Sequence, residues 1–457
     1  MGIAANLFSI DDSENCLAYR VKPTKEQREE QQERWNDLRD VLIAELAGYS
    51  GYSISSWLQG SYKFGTQIRP AKSGEEFDID LGIYFEWLGE PEDGNFSPVE
   101  LKDFVQNMLV EYAADEANDS VGVSDPKTRC NRIHFSGDFH IDVPTYHLDG
   151  PRDLRALATQ ENKWENSDPK KIYVWWTTSL GDARRSRARR LVRYLKMWVV
   201  LNFANSDRPS SILLTVLSCE AFLTLDESQL SGDDEYLRAL VEAILQRLKD
   251  STKVLNPVDE SEDINRLSAE ATQNLINELD TLISTSDRAL AAMTEADSAD
   301  VWTEAFHHFF PIPEEESIVE GTSNNALAPL VFDPQVSVVA KFGKRQIRGV
   351  NRIGPIPRGC DLIFEIMNRH ELPVGAEVIW IARNSGAEAE AQNDLGHRRQ
   401  NGTSAQDRSA YKGEHHMDVT VRLNGRSIGR RRVMVQVNGL GLPYRNPAKK
   451  SWVKLRG

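Results

Sequence analysis

Glu76-Phe77-Asp78-Ile79-Asp80-Leu81 is the stretch on which the fold turns. In a β-strand successive side chains point to opposite faces, so Asp78 and Asp80 share one face while Phe77, Ile79 and Leu81 bury themselves on the other. Two carboxylates then look into one solvent-filled space. Upstream, Leu58-Gln59-Gly60-Ser61 ends a second β-like segment, with Ser61 lying 17 residues before Asp78. Downstream, His140-Ile141-Asp142-Val143-Pro144 repeats the alternation and sets a third carboxylate 62 residues beyond Asp80. A strand carrying Asp142 that pairs close to the first brings all three together.

Such a trio suits phosphoryl transfer. Two Mg²⁺ ions about 4 Å apart, bridged by carboxylates, activate an attacking hydroxyl and neutralise a leaving pyrophosphate; Mn²⁺ can take the same oxygen ligands. Gly60 and Ser61 supply the complementary half. Glycine lets the backbone approach a phosphate, and the following turn presents N–H groups and a hydroxyl to it.

Around this core, Trp35, Leu38, Leu42 and Leu46 recur at helical spacing, so residues 25–47 read as an amphipathic helix with Gly48 as its stop. β-like segments are expected at 53–58, 77–85 and 132–143, and helices at 185–203, 210–225, 233–250 and 264–292. Pro311-Ile312-Pro313 through Gly321-Thr322-Ser323 reads as a linker. Beyond it, segments 335–341, 361–367, 376–383, 417–424 and 431–437 read as strands of a separate sandwich-like or mixed domain. Residues 385–415, rich in Ala, Glu, Gln, Asn and Gly, read as a mobile loop.

These elements resemble the DNA polymerase β nucleotidyltransferase superfamily, and more narrowly the cGAS/DncV-like nucleotidyltransferases, bacterial enzymes that make cyclic nucleotide signals in anti-phage defence. The narrower resemblance rests on Gln59-Gly60-Ser61-Tyr62-Lys63-Phe64, the Glu-Phe-Asp-Ile-Asp strand, Asn131-Arg132-Ile133 and His140 to Pro144. It is extended by Trp164-x-Asn166-Ser167-Asp168-Pro169, Lys196-Met197-Trp198 and Pro209-Ser210-Ser211. It implies an α/β (α+β) architecture: a polymerase β-like sheet domain over 1–180, a helical domain over 181–315 completing the nucleotide pocket, and a β-rich C-terminal domain over 325–457. It also implies that Asp78, Asp80 and Asp142 hold the metals and that Gln59, Gly60, Ser61, Lys196 and Ser211 meet the donor triphosphate. Arg132 and Ser167 lie by the acceptor nucleotide in this reading. Phe64 stands where the family has a tyrosine near the nucleotide, so stacking survives without the hydroxyl. An acidic base-contacting residue, Asp259 or Glu262, stays unassigned.

Charge adds an independent line. Arg185, Arg189, Arg193 and Lys196 fall on one helix face, a stripe that would draw a triphosphate. For Arg185 and Arg189 the favoured reading is a solvated face pairing with acidic neighbours; semi-buried Lys196 is the better ligand. The net charge of −15 speaks against a general nucleic-acid binder. Yet residues 321–457 hold 22 Lys+Arg against 11 Asp+Glu, leaving the first 320 residues near −26.

The C-terminal third resembles the sensor-type domain attached to some bacterial nucleotidyltransferases of this class, on Val378-Ile379-Trp380, Gly386-Ala387-Glu388-Ala389, Tyr411-Lys412-Gly413-Glu414-His415-His416 and Val433 to Val437. Its basic balance fits either an anionic ligand or pairing with the acidic catalytic region. His415 and His416, adjacent on a strand, point to opposite faces and make a poor metal pair. Arg430-Arg431-Arg432 reads as a solvated strand end, and the terminal Gly457 resembles tails conjugated by ubiquitin-like transfer. Four scattered cysteines argue for reduced thiols, and with no long apolar run the expected location is the cytoplasm.

The leading expectation is a cyclic dinucleotide synthase using ATP and GTP, whose product acts on a separate effector. The alternatives are a cyclic trinucleotide or linear oligonucleotide synthase, a non-catalytic nucleotide or RNA sensor, and an antibiotic nucleotidyltransferase. Three converging carboxylates oppose a pure sensor, and the Trp164–Pro169 and Pro209–Ser211 segments oppose the antibiotic enzyme.

Overall fold

The computed structural model describes residues 2–10, 15–72, 74–313, 332–399 and 402–438. The chain forms two compact units: residues 1–70 with 74–292, and 71–73 with 293–457.

The first unit is organised by an eight-stranded sheet. Its strands are β1 (Ser53–Gln59), β2 (Phe77–Glu86), β3 (Ser120–Val123), β4 (Asn131–Phe135), β5 (Phe139–Val143), β6 (Thr145–Asp149), β7 (Leu154–Ala158) and β8 (Trp164–Asn166). β1 runs antiparallel to β2, with Gln59 opposite Asp80. β5 and β6 follow one another along β2, both parallel to it and at one constant offset: Phe77 faces Phe139, and Ile83 faces Thr145. The 62-residue spacing seen in the sequence is therefore the register itself, with Asp80 facing Asp142. β4 flanks β5 and β7 flanks β6, both antiparallel.

The alternation in β2 does what the sequence requires. Phe77, Ile79, Leu81, Ile83 and Phe85 are buried against Leu38, Leu42 and Leu46 of α1 (Lys25–Ser50). Leu101, Val105 and Leu109 of α3 (Pro98–Ala114) join the same core. Each large apolar side chain so buried contributes about 1.5–3 kcal/mol, which fixes the face on which Asp78 and Asp80 emerge. α1 starts at a capping box between Thr24 and Gln27. It runs through Gly48, contrary to the expected stop, and ends at Gly51, whose φ of +76° is the left-handed conformation that terminates a helix. The single strand expected over 132–143 is a hairpin, β4 and β5, because Asp138 takes φ +55° and turns the chain between them.

The short helix α2 (Gly60–Phe64) follows β1, and the longer helices that come after α3 in this unit are α4 (Pro169–Ser179), α5 (Asp182–Asn202), α6 (Ser211–Thr224), α7 (Asp233–Asp250) and α8 (Ala269–Leu290). Among the described residues, no helix is long and apolar enough to cross a membrane.

The second unit opens with α9 (Glu295–Phe306). It continues through β9 (Val336–Phe342), β10 (Arg345–Val350), β11 (Arg352–Pro357), β12 (Asp361–Ile366), β13 (Glu377–Arg383), β14 (Gly396–Arg399), β15 (Ser404–Arg408), β16 (Gly413–Leu423) and β17 (Arg426–Asn438). A four-stranded sheet in the order β10-β9-β12-β15 and a five-stranded sheet in the order β11-β17-β16-β13-β14 share one core. Val338, Phe364, Trp380, Val419 and Val435 lie in it. The loop expected over 385–415 instead holds β14, β15 and a helical turn at Ala387–Ala391. Arg430, Arg431 and Arg432 are engaged rather than solvated, pairing with Asp297, Asp333 and Asp418. Of the expected linker only residues 311–313 are described, and Gly457 lies outside the described residues.

Candidate active site

The candidate site is a grid on the open face of the sheet. Registers between β4, β5 and β2 set Arg132, Asp142 and Asp80 in one row, and His134, His140 and Asp78 in the next. Glu76, two residues before Asp78, extends the same face. Asp78 is exposed, while Asp142 is buried.

Each carboxylate has its own environment. Both oxygens of Asp142 accept from Arg132, Nε at 2.5 Å and Nη2 at 2.8 Å, and Lys127 stands 3.8 Å away. Burial works against the charged form, but the Arg132 guanidinium outweighs it and holds Asp142 below the ordinary carboxylate range. Asp80 goes the other way: burial first, then the charges of Asp78 and Asp142, push it up to about 8. Asp78 Oδ1 lies 3.0 Å from His140 Nε2. His140 Nδ1 in turn lies 3.0 Å from Glu76 Oε2, which is 2.8 Å from His134 Nδ1. These imidazole contacts, led by His140, hold Glu76 down at about 2.

Gly60 sits directly over this face. Its φ is +59°, and a Cβ built there would fall 1.8 Å from Asp80 Oδ2, so only glycine allows the approach. Gly60 and Ser61 open α2, whose N-terminus no side chain caps. Three cations of α5 grip the segment that follows: Arg189 Nε donates to Phe64 O at 3.0 Å, Arg193 Nη1 to Gly65 O at 2.7 Å, and Lys196 Nζ to Thr66 O at 3.1 Å. The stripe read from the sequence is real, and these three positions point at successive carbonyls rather than at solvent. Arg185 pairs with Asp182 and donates to Thr177 O. Burial lowers Lys196 to about 8, against the pull of Asp78 and Asp80.

A cleft of about 160 Å³ adjoins Asp80 and Gly60, walled by Phe64, Tyr173, Pro169 and Ile212. Phe64 packs on Tyr173 and Trp176, with ring centroids 5.8 and 6.0 Å away. Lys63 lies 4.4 Å over the Trp57 ring. Ser211 is exposed at the start of α6, next to the cleft-lining Ile212. The Gln59 side chain is turned into the sheet, donating to Tyr84 Oη and accepting from Tyr146 Oη, each at 3.1 Å. Ser167 hydrogen-bonds the same Tyr146. Arg132 is committed to Asp142.

Sequence reasoning missed Glu76, His134, His140 and Lys127. The signal for two of them was present, since Glu76 and His140 precede Asp78 and Asp142 by two residues and must share their face. The donor set suits a divalent cation: Asp78, His140 and Asp142 each offer a ligand atom within 4.8 Å of the others, Asp80 faces Asp142 across the strands, and the charges of Asp78 and Asp142 help raise Asp80, which marks crowded negative charge.

A backbone turn at Gly60 against Asp80, on a sheet face that also carries Asp78 and Asp142, is the arrangement expected of a nucleotidyltransferase. Residues 55–146 match the family model of the cyclic GMP-AMP synthase DncV-like nucleotidyltransferase domain, and residues 323–438 match that of the adenylyl/guanylyl and SMODS C-terminal sensor domain. The chain is thus similar to cGAS/DncV-like nucleotidyltransferases that carry a C-terminal sensor domain. Among its relatives, a cyclic GMP-AMP synthase of Escherichia albertii is 26% identical over 446 residues, covering 95% of this chain and 96% of that protein. A c-di-GMP synthase of Roseivirga ehrenbergii is 25% identical over 47% of this chain and 61% of its own length. The fold over 68% of this chain is similar to that of DncV from Vibrio cholerae solved with GTP and 5MTHFGLU2, with a TM-score of 0.56 at 19% identity and 97% of that chain covered.

Proposed function

We propose that this protein is a Mg²⁺-dependent cyclic dinucleotide synthase, condensing ATP and GTP into a cGAMP-type second messenger for a separate effector in anti-phage defence. The observation that carries the reading is the convergence of Asp78, Asp80 and Asp142 beneath the glycine turn at Gly60. The near full-length match to a cyclic GMP-AMP synthase supports the choice of product. We place the enzyme in the bacterial cytoplasm, with an unidentified ligand for the sensor domain.

Asp78, Asp80 and Asp142 would hold the Mg²⁺ ions, with Mn²⁺ a substitute; when bound, these would supply positive charge that offsets the triphosphate and eases ionisation of the attacking hydroxyl. The backbone N–H groups opening α2 and the Ser61 hydroxyl receive the donor triphosphate, with Ser211 on the neighbouring helix contributing to the same site. Phe64 and Tyr173 offer the cleft an aromatic wall. Lys196 contributes by tying Thr66 in place and by its charge beside Asp78 and Asp80. Gln59, clamped by two tyrosines, fixes the strand end from which the turn springs.

Paired with Arg132, Asp142 is a weakened base, so its part is to orient the acceptor 3′- or 2′-hydroxyl rather than to take its proton. Ser167 and Arg132 border the acceptor nucleotide. The acceptor hydroxyl passes its proton to solvent water as its oxygen attacks the donor α-phosphorus, whose bond to the bridging oxygen breaks and releases pyrophosphate. A second transfer, after the linear intermediate turns round, closes the ring.

The test is to incubate the protein with labelled ATP and GTP, singly and together, with Mg²⁺, then treat with phosphatase and resolve the products. A resistant product requiring both nucleotides is expected. A product from GTP alone would move the assignment toward the chemistry named for the Roseivirga relative. Absence of any resistant product would sink the cyclase reading.

A further inference from the structure

His140 is a wall between two clusters. Its Nε2 faces Asp78, and its Nδ1 faces Glu76, to which His134 Nδ1 also turns. We propose that Glu76, His134 and His140 form a separate cation site, selective for transition-metal ions that take imidazole nitrogen, beside the carboxylates that hold Mg²⁺.

Four observations support it. One oxygen of Glu76 and one ring nitrogen from each histidine lie within 4.8 Å of one another. The Glu76 oxygen is 2.8 and 3.0 Å from the two Nδ1 atoms, and two ligands held at right angles about 2.1 Å from one ion are themselves about 3 Å apart. Each histidine has its far nitrogen engaged by an outer partner: His140 by Asp78, and His134 by Ser124 Oγ at 2.8 Å. With its far nitrogen held in this way, each ring can offer Nδ1 as a ligand once the proton there leaves, as outer partners orient metal-bound histidines. Finally, all three side chains are partly withdrawn from water, with exposures of 17%, 25% and 9% for Glu76, His134 and His140. In the metal-free protein the ring protons on the two Nδ1 atoms bond to Glu76 and occupy the place of the ion.

Two imidazoles and one carboxylate favour Zn²⁺, Co²⁺ or Ni²⁺ over Mg²⁺, which prefers an all-oxygen shell. An ion there also fixes the His140 ring and, through its Nε2–H, the Asp78 carboxylate. The site stands apart from the proposed synthase activity, since binding is measured without nucleotides.

The experiment titrates Co²⁺, without nucleotide and against excess Mg²⁺, into the full-length Asp78→Asn, Asp80→Asn variant, following visible absorption. The amide oxygen introduced by Asp78→Asn still accepts from His140 Nε2, so the proposed ligands stay in place. One equivalent of Co²⁺ should bind with ligand-field bands. Glu76→Gln or His134→Asn, added to this background, should weaken binding by about tenfold or more, and Ser124→Ala, which spares every ligand, by less. The proposal is overturned if Co²⁺ binds wild type but not the double variant, which would place the ion on the catalytic carboxylates. It is equally overturned if the Glu76 and His134 variants, shown folded by circular dichroism, bind as tightly as their parent.

Discussion

Gly60→Ala tests the architecture of the site with a single methyl group. The added Cβ would meet Asp80 Oδ2 at 1.8 Å and its Cγ at 2.9 Å, and Gly60 has φ +59°. The left-handed backbone costs an alanine about 1–2 kcal/mol. The clash is the larger matter. Ordinary contact needs more than 3 Å, so the carboxylate or the turn must move by about 1.5 Å. A displacement of about 1 Å in a positioned reacting group costs on the order of 100-fold in rate. Product formation should therefore fall about 100-fold or more, while the melting temperature drops by only a few degrees, as expected for 1–2 kcal/mol in a domain of this size. Gly51→Ala is the control, because Gly51 has φ +76° with nothing within 4 Å of its would-be Cβ. It should lose similar stability and keep its activity. The reasoning fails if Gly60→Ala retains activity within about threefold of wild type, or if Gly51→Ala loses as much activity as Gly60→Ala.

Three further outcomes follow from the same geometry. Arg132→Ala strips Asp142 of both hydrogen bonds, so the carboxyl should rise toward its ordinary value and turnover should fall about 100-fold; Arg132→Lys, keeping charge without the fork, should lie between. Asp80 keeps its proton in the folded, metal-free protein up to about pH 8 but loses it near pH 4 when unfolded. Metal-free stability should thus fall as pH rises through that window, and metal uptake at pH 7 should release about one proton, read by calorimetry in buffers of different ionisation enthalpy. In the second unit, Arg422 lies buried between Asp300 at 3.2 Å and Glu304 at 2.6 Å. Arg422→Ala should destabilise that unit by about 3–5 kcal/mol in denaturant unfolding, since it leaves buried charge unpaired.

How far the sequence revealed this molecule depended on whether the deciding interaction was local. The period-two alternation around Asp78 and Asp80 is enforced by the burial of Phe77, Ile79 and Leu81, so strand and face were both legible, and the spacing to Asp142 held the register unseen. The hairpin between β4 and β5 was missed because apolar residues on both sides of Ser136-Gly137-Asp138 masked a turn made by one left-handed residue. The helix at Pro98–Ala114 was overlooked although Ser97, Pro98 and Glu100 carry a start signal. On α5 the shared face of Arg189, Arg193 and Lys196 followed from helical spacing, but their partners, the carbonyls of residues 64–66, lie more than 120 positions away. The pairing of Arg132 with Asp142, and the meeting of Glu76 with two histidines, likewise depend on which strands adjoin.

The central claim is that Asp78, Asp80 and Asp142 act as one cation-holding centre for nucleotidyl transfer. It is tested most directly by comparing wild type with the Asp78→Asn, Asp80→Asn variant for phosphatase-resistant product from labelled ATP and GTP, alongside thermal unfolding. The account predicts that the variant makes no detectable product while unfolding at or slightly above the metal-free wild-type temperature, because the Asp78 charge that crowds the buried Asp80 carboxyl has been removed. Synthesis persisting in the folded variant would contradict it.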